Sequence, residues 1–281
     1  MSRAWVLTGG GVNACRQVGM MNALSIRGKT PDALFGVSGG AKNAFAISRM
    51  ANYFQNWETA SLNLMDLWLG LLSISDLLRE RSLWSRLKGL LGWDSLSLYS
   101  SEPLKEILRG IFQKYPGYMV DTYIGAVNLN EGKYQNIHLM GNMLDVDYIL
   151  ASSSMPGYMP PVTIGQNELW MDGGARNIAP LADAIGRFDE IYVLCATHPG
   201  IKTINSFNPK GILDVIGRFS MVMADEIYAD DLKAEAEDKV RFLLPSGENI
   251  FDSFMDIDPS KIRQGIREGV EVVEYFFGLK D

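Results

Sequence analysis

Short apolar runs that stop at glycine-rich turns recur along the chain. The first run, Ala4 to Thr8, ends at three consecutive glycines, and apolar residues then recur at helical spacing as far as Ile26. A second run at 33–37 ends at a Ser-Gly-Gly turn that leads into a helical pattern over 41–51. Two consecutive strand-turn-helix units predict an α/β fold with a parallel sheet covered by helices.

The middle of the chain follows a different pattern. Residues 53–112 are rich in leucine, have helical spacing broken by turns and contain no convincing strand, so we predict a helical cap inserted here. Thr122 to Asn128 and Tyr134 to Leu139 flank the turn NLNEGK and predict a hairpin at the sheet edge. A helix over 145–152 follows, with Asp145 as its candidate N-cap.

The last third of the chain returns to short alternating elements. A strand is predicted directly before Asp172, and the final helix is predicted to begin with Asp258 as N-cap and Pro259 at its first position. Between them the pattern predicts a helix at 180–187, strands at 190–196 and 240–244, and mostly helix over 210–237.

Length and composition favour one globular domain over residues 1–281. The chain is 47% hydrophobic, which is enough for a single large core. A formal charge of −7 disfavours nucleic acid as a partner. Cys15 and Cys195 lack disulfide or metal-ligand spacing and are predicted to be buried thiols. Because no signal peptide is apparent and the apolar window at 62–78 is too interrupted to span a membrane, we expect a cytoplasmic protein.

Ser38 is the first candidate for chemistry. Residues 36–40 spell GVSGG, which fits the GxSxG elbow that lifts a nucleophilic serine out of a strand-to-helix turn. The helix that follows points its positive end at this serine and favours negative charge there. The same pattern occurs in ordinary turns, so the motif alone leaves a structural role for Ser38 open.

A serine nucleophile needs a base, and three side chains are candidates. His138 lies in a predicted hairpin strand, and His198 lies in a His-Pro-Gly turn from which it could complete a serine-aspartate-histidine triad. Asp172 ends a strand, as Ser38 does, and is followed by two glycines. Sites form at the carboxyl ends of strands in a parallel sheet, so Asp172 and Ser38 could meet there. A simple Asp-Gly-Gly turn is the alternative.

Four segments together resemble the patatin-like phospholipases. They are the glycine loop at 9–11, the elbow at 36–40, the stretch ASSSMPGYMPPV at 151–162 and DGGARNIAP at 172–180. The resemblance implies a three-layer α/β/α fold with a mainly parallel central sheet. It also implies hydrolysis of lipid acyl esters without a cofactor.

The resemblance assigns roles to named residues. Ser38 would attack the ester carbonyl to form an acyl-enzyme, and Asp172 would accept its proton and later activate water. Gly36 and Gly40 would shape the elbow. These assignments make the protein a serine hydrolase with a two-residue catalytic dyad.

The glycine loop is where the chain departs from the family. Gly9, Gly10 and Gly11 would form the oxyanion hole, because a loop without side chains lets a carbonyl approach its N–H groups. The family's loop usually continues with a basic residue and a glycine, where this chain has Asn13 and Ala14. The departure motivates a rival interpretation, a low-activity lipid-binding regulatory protein that keeps the fold.

Apolar residues suggest where a substrate would bind. Leucine and tryptophan are abundant over 62–93 and alternate with arginines, which fits an acyl pocket, a peripheral contact with a membrane, or plain packing. Met155, Tyr158 and Met159 flank the proline segment near Asp172 and are predicted to line the same pocket. The acidic runs lack metal-ligand spacing, so we expect neither a metal nor a cofactor.

Overall fold

A computed structural model of the protein describes residues 1–82, 84–85, 97–198, 227–228, 238–246, 250–251, 253 and 255–279. The strands are, in chain order, β1 (Arg3–Leu7), β2 (Ala33–Val37), β3 (Arg79–Glu80), β4 (Tyr99–Ser100), β5 (Asp121–Asn128), β6 (Lys133–His138), β7 (Val162–Ile164), β8 (Glu168–Asp172), β9 (Glu190–Leu194) and β10 (Val240–Leu243). The α-helices are α1 (Cys15–Ile26), α2 (Gly39–Phe54), α3 (Trp57–Leu69), α4 (Glu102–Lys114), α5 (Leu144–Ser152), α6 (Ala182–Ile185) and α7 (Pro259–Phe276).

The central sheet is mixed and mostly parallel. Its 8 strands follow the order β10-β9-β1-β2-β5-β8-β7, with β6 paired to β5. The pairs that join β10, β9, β1, β2 and β5 are all parallel. The pairs that involve β6, β7 and β8 are antiparallel. The two short strands β3 and β4 form a separate pair.

The buried side chains of β1 show that helices cover both faces of the central sheet. Trp5 and Leu7 belong to one apolar cluster, together with side chains from α1 to α5 and from α7. Ala4 and Val6 belong to a second cluster on the opposite face, with residues of α6 and with Tyr228. Because both faces of the strand are covered, its sequence is continuously apolar rather than alternating. The predicted three-layer α/β/α fold is confirmed.

Helix α1, which follows the glycine loop, is fixed by close packing against α7. A methyl group at Gly19 would lie 2.0 Å from the carbonyl oxygen of Ile266, and one at Gly269 would lie 1.9 Å from that of Arg16. Only glycine permits this approach, so the C-terminal helix helps to place the loop that precedes α1.

Several predicted elements are confirmed. Strand β2 has the predicted bounds, and β5 and β6 form the predicted hairpin. Asp258 caps α7 by accepting hydrogen bonds from the backbone N–H groups of Ser260 and Lys261. Most of the helix predicted over 210–237 lies outside the described residues.

Three predictions about single elements are wrong. Asp145 lies inside the first turn of α5, and its carboxylate instead accepts hydrogen bonds from the N–H groups of Met140 and Gly141 and from the Tyr118 hydroxyl. The helix predicted at 180–187 has only four residues, because Gly186 ends it. Strands β3 and β4 occur where no strand was predicted. Each has two residues and its partner is about twenty residues away in the chain, so no local sequence pattern reveals them.

Candidate active site

Ser38 lies in a sharp turn between β2 and α2. Its φ of 53° is in the left-handed region, which is strained for a serine. A methyl group at Gly36 would lie 2.6 Å from the carbonyl oxygen of Gly40, and one at Gly40 would lie 2.3 Å from that of Leu7. The turn therefore exists only because both flanking positions are glycine.

Asp172 meets Ser38 because two strands end head to head along β5. Val37 pairs with Gly125, and Asp172 pairs with the next residue, Ala126. β6 occupies the opposite edge of β5, so β2 and β8 share one edge and point their carboxyl ends at each other. The Ser38 hydroxyl donates a 2.7 Å hydrogen bond to Asp172 Oδ2.

Ser38 and Asp172 meet as predicted, but the predicted direction of the strand that carries Asp172 is wrong. The sequence suggested the carboxyl ends of parallel strands, but β8 runs antiparallel to β5. A tight turn reinforces the arrangement, because a methyl group at Gly173 would lie 2.4 Å from the carbonyl oxygen of Gly125.

The environment of Asp172 suits a base that works near neutral pH. Burial raises the pKa of the carboxyl group to about 6. The Ser38 hydroxyl, the N–H of Gly174 and the charge of Lys42 oppose this rise. The Gly174 N–H donates a 2.8 Å hydrogen bond to Oδ1, which leaves Oδ2 directed at Ser38.

Two serines that the sequence analysis did not single out hold the elbow. Ser152 accepts a 3.0 Å hydrogen bond from the Ser38 N–H and donates a 2.6 Å bond to the carbonyl oxygen of Gly125. Ser153 donates a 3.2 Å bond to the carbonyl oxygen of Ser38. The ASSSMP stretch marked this segment by resemblance, but nothing in the local pattern assigned these hydroxyl groups to the elbow.

The glycine loop lies against the elbow. The Gly9 N–H is already engaged, since it donates a 3.0 Å hydrogen bond to the Ile178 carbonyl oxygen. Within the described part of the chain, the N–H groups of Gly10 and Gly11 have no hydrogen-bond partner. A methyl group at Gly39, the residue after Ser38, would lie 2.8 Å from the carbonyl oxygen of Gly11. The loop that packs against the elbow therefore carries two backbone N–H groups with no partner among the described residues.

The two unusual residues of the loop fit without strain. Ala14 has ordinary helical angles, with a φ of −62°, and the left-handed angle falls on Gly11 at 58°. Asn13 accepts a hydrogen bond from the buried Arg16, whose guanidinium is paired with Glu268 at 2.6 Å. A cation is thus present near the loop even though position 13 is not basic.

Asn43 on α2 fixes the far side of the loop. Its amide donates a 2.8 Å hydrogen bond to the carbonyl oxygen of Ala14 and accepts a 2.9 Å bond from the Trp68 indole N–H. It also donates to Gln17, which in turn donates to the carbonyl oxygen of Thr8. This buried network ties both ends of the glycine loop to the helix layer.

An apolar cavity opens in front of Ser38 and Asp172. Its volume is about 1020 Å³, including the part open to solvent. We call the lining residues Ser38, Ser153 and Asp172, together with the buried Ser152 behind them, the polar wall. The apolar wall is formed by α3, by residues 71–78 after it and by α4, together with Met255 and Ile257. Its side chains from 57–114 are Leu64, Leu67, Trp68, Leu71, Ile74, Leu77, Leu78, Leu104, Ile107, Leu108 and Ile111.

The predicted pocket residues fall in this cavity. Met155, Tyr158 and Met159 all contribute to its lining, as does one charged side chain that the sequence analysis did not single out, Lys42. Residue 83 and residues 86–93 of the predicted 62–93 region lie outside the described residues. Within that region Trp84 is described and is 76% exposed.

Neither histidine belongs to the cavity. His138 lies on β6, where it stacks on Tyr123 and is 3.2 Å from Asp121. His198 is exposed and is not among the cavity-lining residues. The Ser38 hydroxyl instead bonds directly to a carboxylate.

Two further properties of the described residues bear on the kind of site. They contain no group of three or more histidine, cysteine, aspartate or glutamate side chains that could hold a metal ion. Among them, no helix has both the length and the apolar character needed to cross a membrane.

Comparison with known proteins points to one family. The sequence model described as Patatin-like phospholipase matches residues 5–185, which is more than half of the chain and includes Ser38 and Asp172. No curated protein matches the sequence. Among solved structures, VipD from Legionella pneumophila superposes with a TM-score of 0.49 at 13% identity, covering 99% of this chain and 67% of that chain.

Proposed function

The chain belongs to the patatin-like phospholipase family, and we propose that it hydrolyses acyl esters of lipids through an acyl-enzyme on Ser38, with Asp172 as the base. The observation that carries the proposal is the 2.7 Å hydrogen bond from the Ser38 hydroxyl to Asp172 Oδ2 at the inner end of an apolar cavity. A nucleophile and its base at hydrogen-bond distance are the minimum that covalent acyl transfer needs.

Acylation follows from this contact. As Ser38 Oγ bonds to the ester carbonyl carbon, its proton passes to Asp172 Oδ2. The carbonyl oxygen becomes an oxyanion, which the free N–H groups of Gly10 and Gly11 stabilise, helped by the N-terminus of α2. Breakage of the bond to the leaving alcohol returns the proton from Asp172 to that alcohol.

Deacylation repeats the same steps with water. Asp172 takes a proton from a water molecule that attacks the acyl carbon, and the proton then goes to Ser38 as its oxygen leaves. The products are a fatty acid and the free enzyme. The bonds made and broken in both steps involve only the substrate, water and the dyad.

The apolar wall supports a lipid substrate. An acyl chain that enters the cavity leaves water for aliphatic side chains, and each buried methylene contributes about 0.8 kcal/mol. Met155, Tyr158 and Met159 line the same cavity as the dyad. An acyl chain bound there would therefore place the ester group of the substrate close to Ser38.

Substitution of the nucleophile tests the proposal. Ser38→Ala should lower hydrolysis of a p-nitrophenyl ester by at least about 10³-fold, because the covalent route is removed. Asp172→Asn should cause a similar loss, whereas His198→Ala and the control Ser25→Ala on α1 should keep most of the activity. Unchanged turnover by folded Ser38→Ala would refute the acyl-enzyme, and loss of turnover in His198→Ala would favour a triad.

A further inference from the structure

Lys42 is a basic side chain in a largely apolar cavity. It lies on α2 one helical turn after Ser38, and it is the one basic residue among the described residues that line the cavity. Most other lining residues are leucine, isoleucine, methionine or tryptophan. A lysine is a costly choice here, because an apolar wall gives its ammonium group little solvation.

The electrostatic partner of Lys42 is Asp172. Burial lowers the pKa of Lys42, and the charge of Asp172 opposes this. The same pair acts in reverse, since Lys42 opposes the burial that raises the pKa of Asp172. Tyr158 is the remaining titratable side chain among the described lining residues. The described residues show no contact ion pair for Lys42, so the two charges act through space in a medium of low polarity.

We propose that Lys42 is a positioning residue of the site, whose ammonium group holds Asp172 in the carboxylate form that accepts the Ser38 proton. The inference rests on the proposed function, because it assigns a task to Asp172. It adds a third side chain to the dyad, one that acts on the base and not on the substrate.

This role of Lys42 predicts a specific pH dependence of kcat/KM. Asp172 must be ionised to act as a base, and its pKa is about 6, so kcat/KM falls as the pH drops below that value. Removal of the lysine charge raises the pKa of Asp172 and moves the acid limb to higher pH.

The pH profiles of three proteins, the wild type, Lys42→Met and Lys42→Arg, distinguish an electrostatic role of Lys42 from a role in packing alone. For ester hydrolysis, Lys42→Met should lose roughly three- to tenfold more kcat/KM at pH 5.5 than it loses at pH 8. Lys42→Arg should keep the acid limb of the wild type, because arginine keeps the positive charge. Acid limbs that coincide in the wild type and Lys42→Met would overturn the inference while leaving the dyad intact.

A measurement that does not need activity separates the two proposals. The rate at which acetic anhydride acetylates Lys42, followed by mass spectrometry across pH, reports the titration of its amine. The Asp172→Asn variant should titrate at lower pH than the wild type, because the amine loses its counter-charge. Equal titration would overturn the inference even if no ester were hydrolysed, and it would also decide the matter if Lys42→Met failed to fold.

Discussion

The side chains of the polar wall are fixed by hydrogen bonds to the backbone, whereas the leucines and isoleucines of the apolar wall are held by side-chain packing. Asp172, Ser152 and Ser153 each bond to a backbone group of the elbow or of its neighbouring strands. The leucines and isoleucines of α3 and α4 offer no comparable directional contact. Proton transfer needs groups placed to within a fraction of an ångström, while an acyl chain needs only space and apolar surface.

The comparison predicts that a small change in the polar wall will cost far more than a larger one in the apolar wall. A side chain added at an elbow glycine should lower both fold stability and activity. A substitution among the lining leucines should change only which ester is preferred. Three experiments, taken in order of expected effect, test this difference.

Gly40→Ala should have the largest effect. The added methyl group would lie 2.3 Å from the carbonyl oxygen of Leu7, which is backbone of the central strand and cannot move aside. We expect a loss of about 3 kcal/mol or more in the free energy of unfolding, measured in urea, and of at least 100-fold in kcat/KM.

Gly110→Ala is the matched control for that experiment. Gly110 lies in α4, and nothing lies within 4 Å of the position its methyl group would take. The substitution should stabilise the protein by about 0.5–1 kcal/mol, since alanine favours helix. Similar losses in the two variants would contradict the claim that the elbow is held by close backbone contact.

Ser152→Ala should have an intermediate effect. It leaves the Ser38 N–H and the Gly125 carbonyl oxygen without their 3.0 Å and 2.6 Å hydrogen bonds. A buried group left unpaired costs about 1–3 kcal/mol, so kcat/KM should fall by roughly tenfold or more while the fold is kept. Steady-state kinetics and circular dichroism measure the two quantities.

The neighbouring Ser154→Ala provides the comparison for Ser152. The Ser154 hydroxyl donates only to the carbonyl oxygen of Leu150 within its own turn, so its loss should change kcat/KM by less than about threefold. Equal losses in both variants would mean that the segment matters as a whole and that the bond to Ser38 has no special role.

Leu71→Ala should have the smallest effect, and a selective one. Leu71 lines the cavity and is partly exposed, so its removal shortens the apolar wall without opening the core. The ratio of kcat/KM for a long-chain ester to that for a short-chain ester should fall by about two- to fivefold. An equal drop in kcat/KM for the short ester and the long ester would contradict the claim that the apolar wall affects only which ester is preferred.

Sequence reasoning reached the parts of this site that local pattern encodes. The apolar run before Ser38 and the glycines around it specify a strand-to-helix elbow, and β2 has the predicted bounds. Asp172 was found because it ends a strand at a glycine turn. The Gly10–Gly11 loop is assigned by family resemblance, and its N–H groups have no hydrogen-bond partner within the described part of the chain.

The rest depends on contacts between distant segments. That β2 and β8 meet head to head follows from how β5 pairs along both of its edges, which no local pattern records. The same is true of the Ser152 bond to the elbow, which joins residues 114 positions apart. Lys42 escapes sequence reasoning because a lysine on a helix usually faces bulk water, and only the folded structure places this one in the cavity lining.

The most direct test of the account is covalent labelling of Ser38. The native protein is incubated with a fluorophosphonate probe and the adduct is located by peptide mass spectrometry, with Ser38→Ala and Asp172→Asn as comparisons. The account predicts one adduct on Ser38, absent from Ser38→Ala and formed much more slowly in Asp172→Asn. An unmodified Ser38, or an adduct on another serine that survives Ser38→Ala, would contradict it.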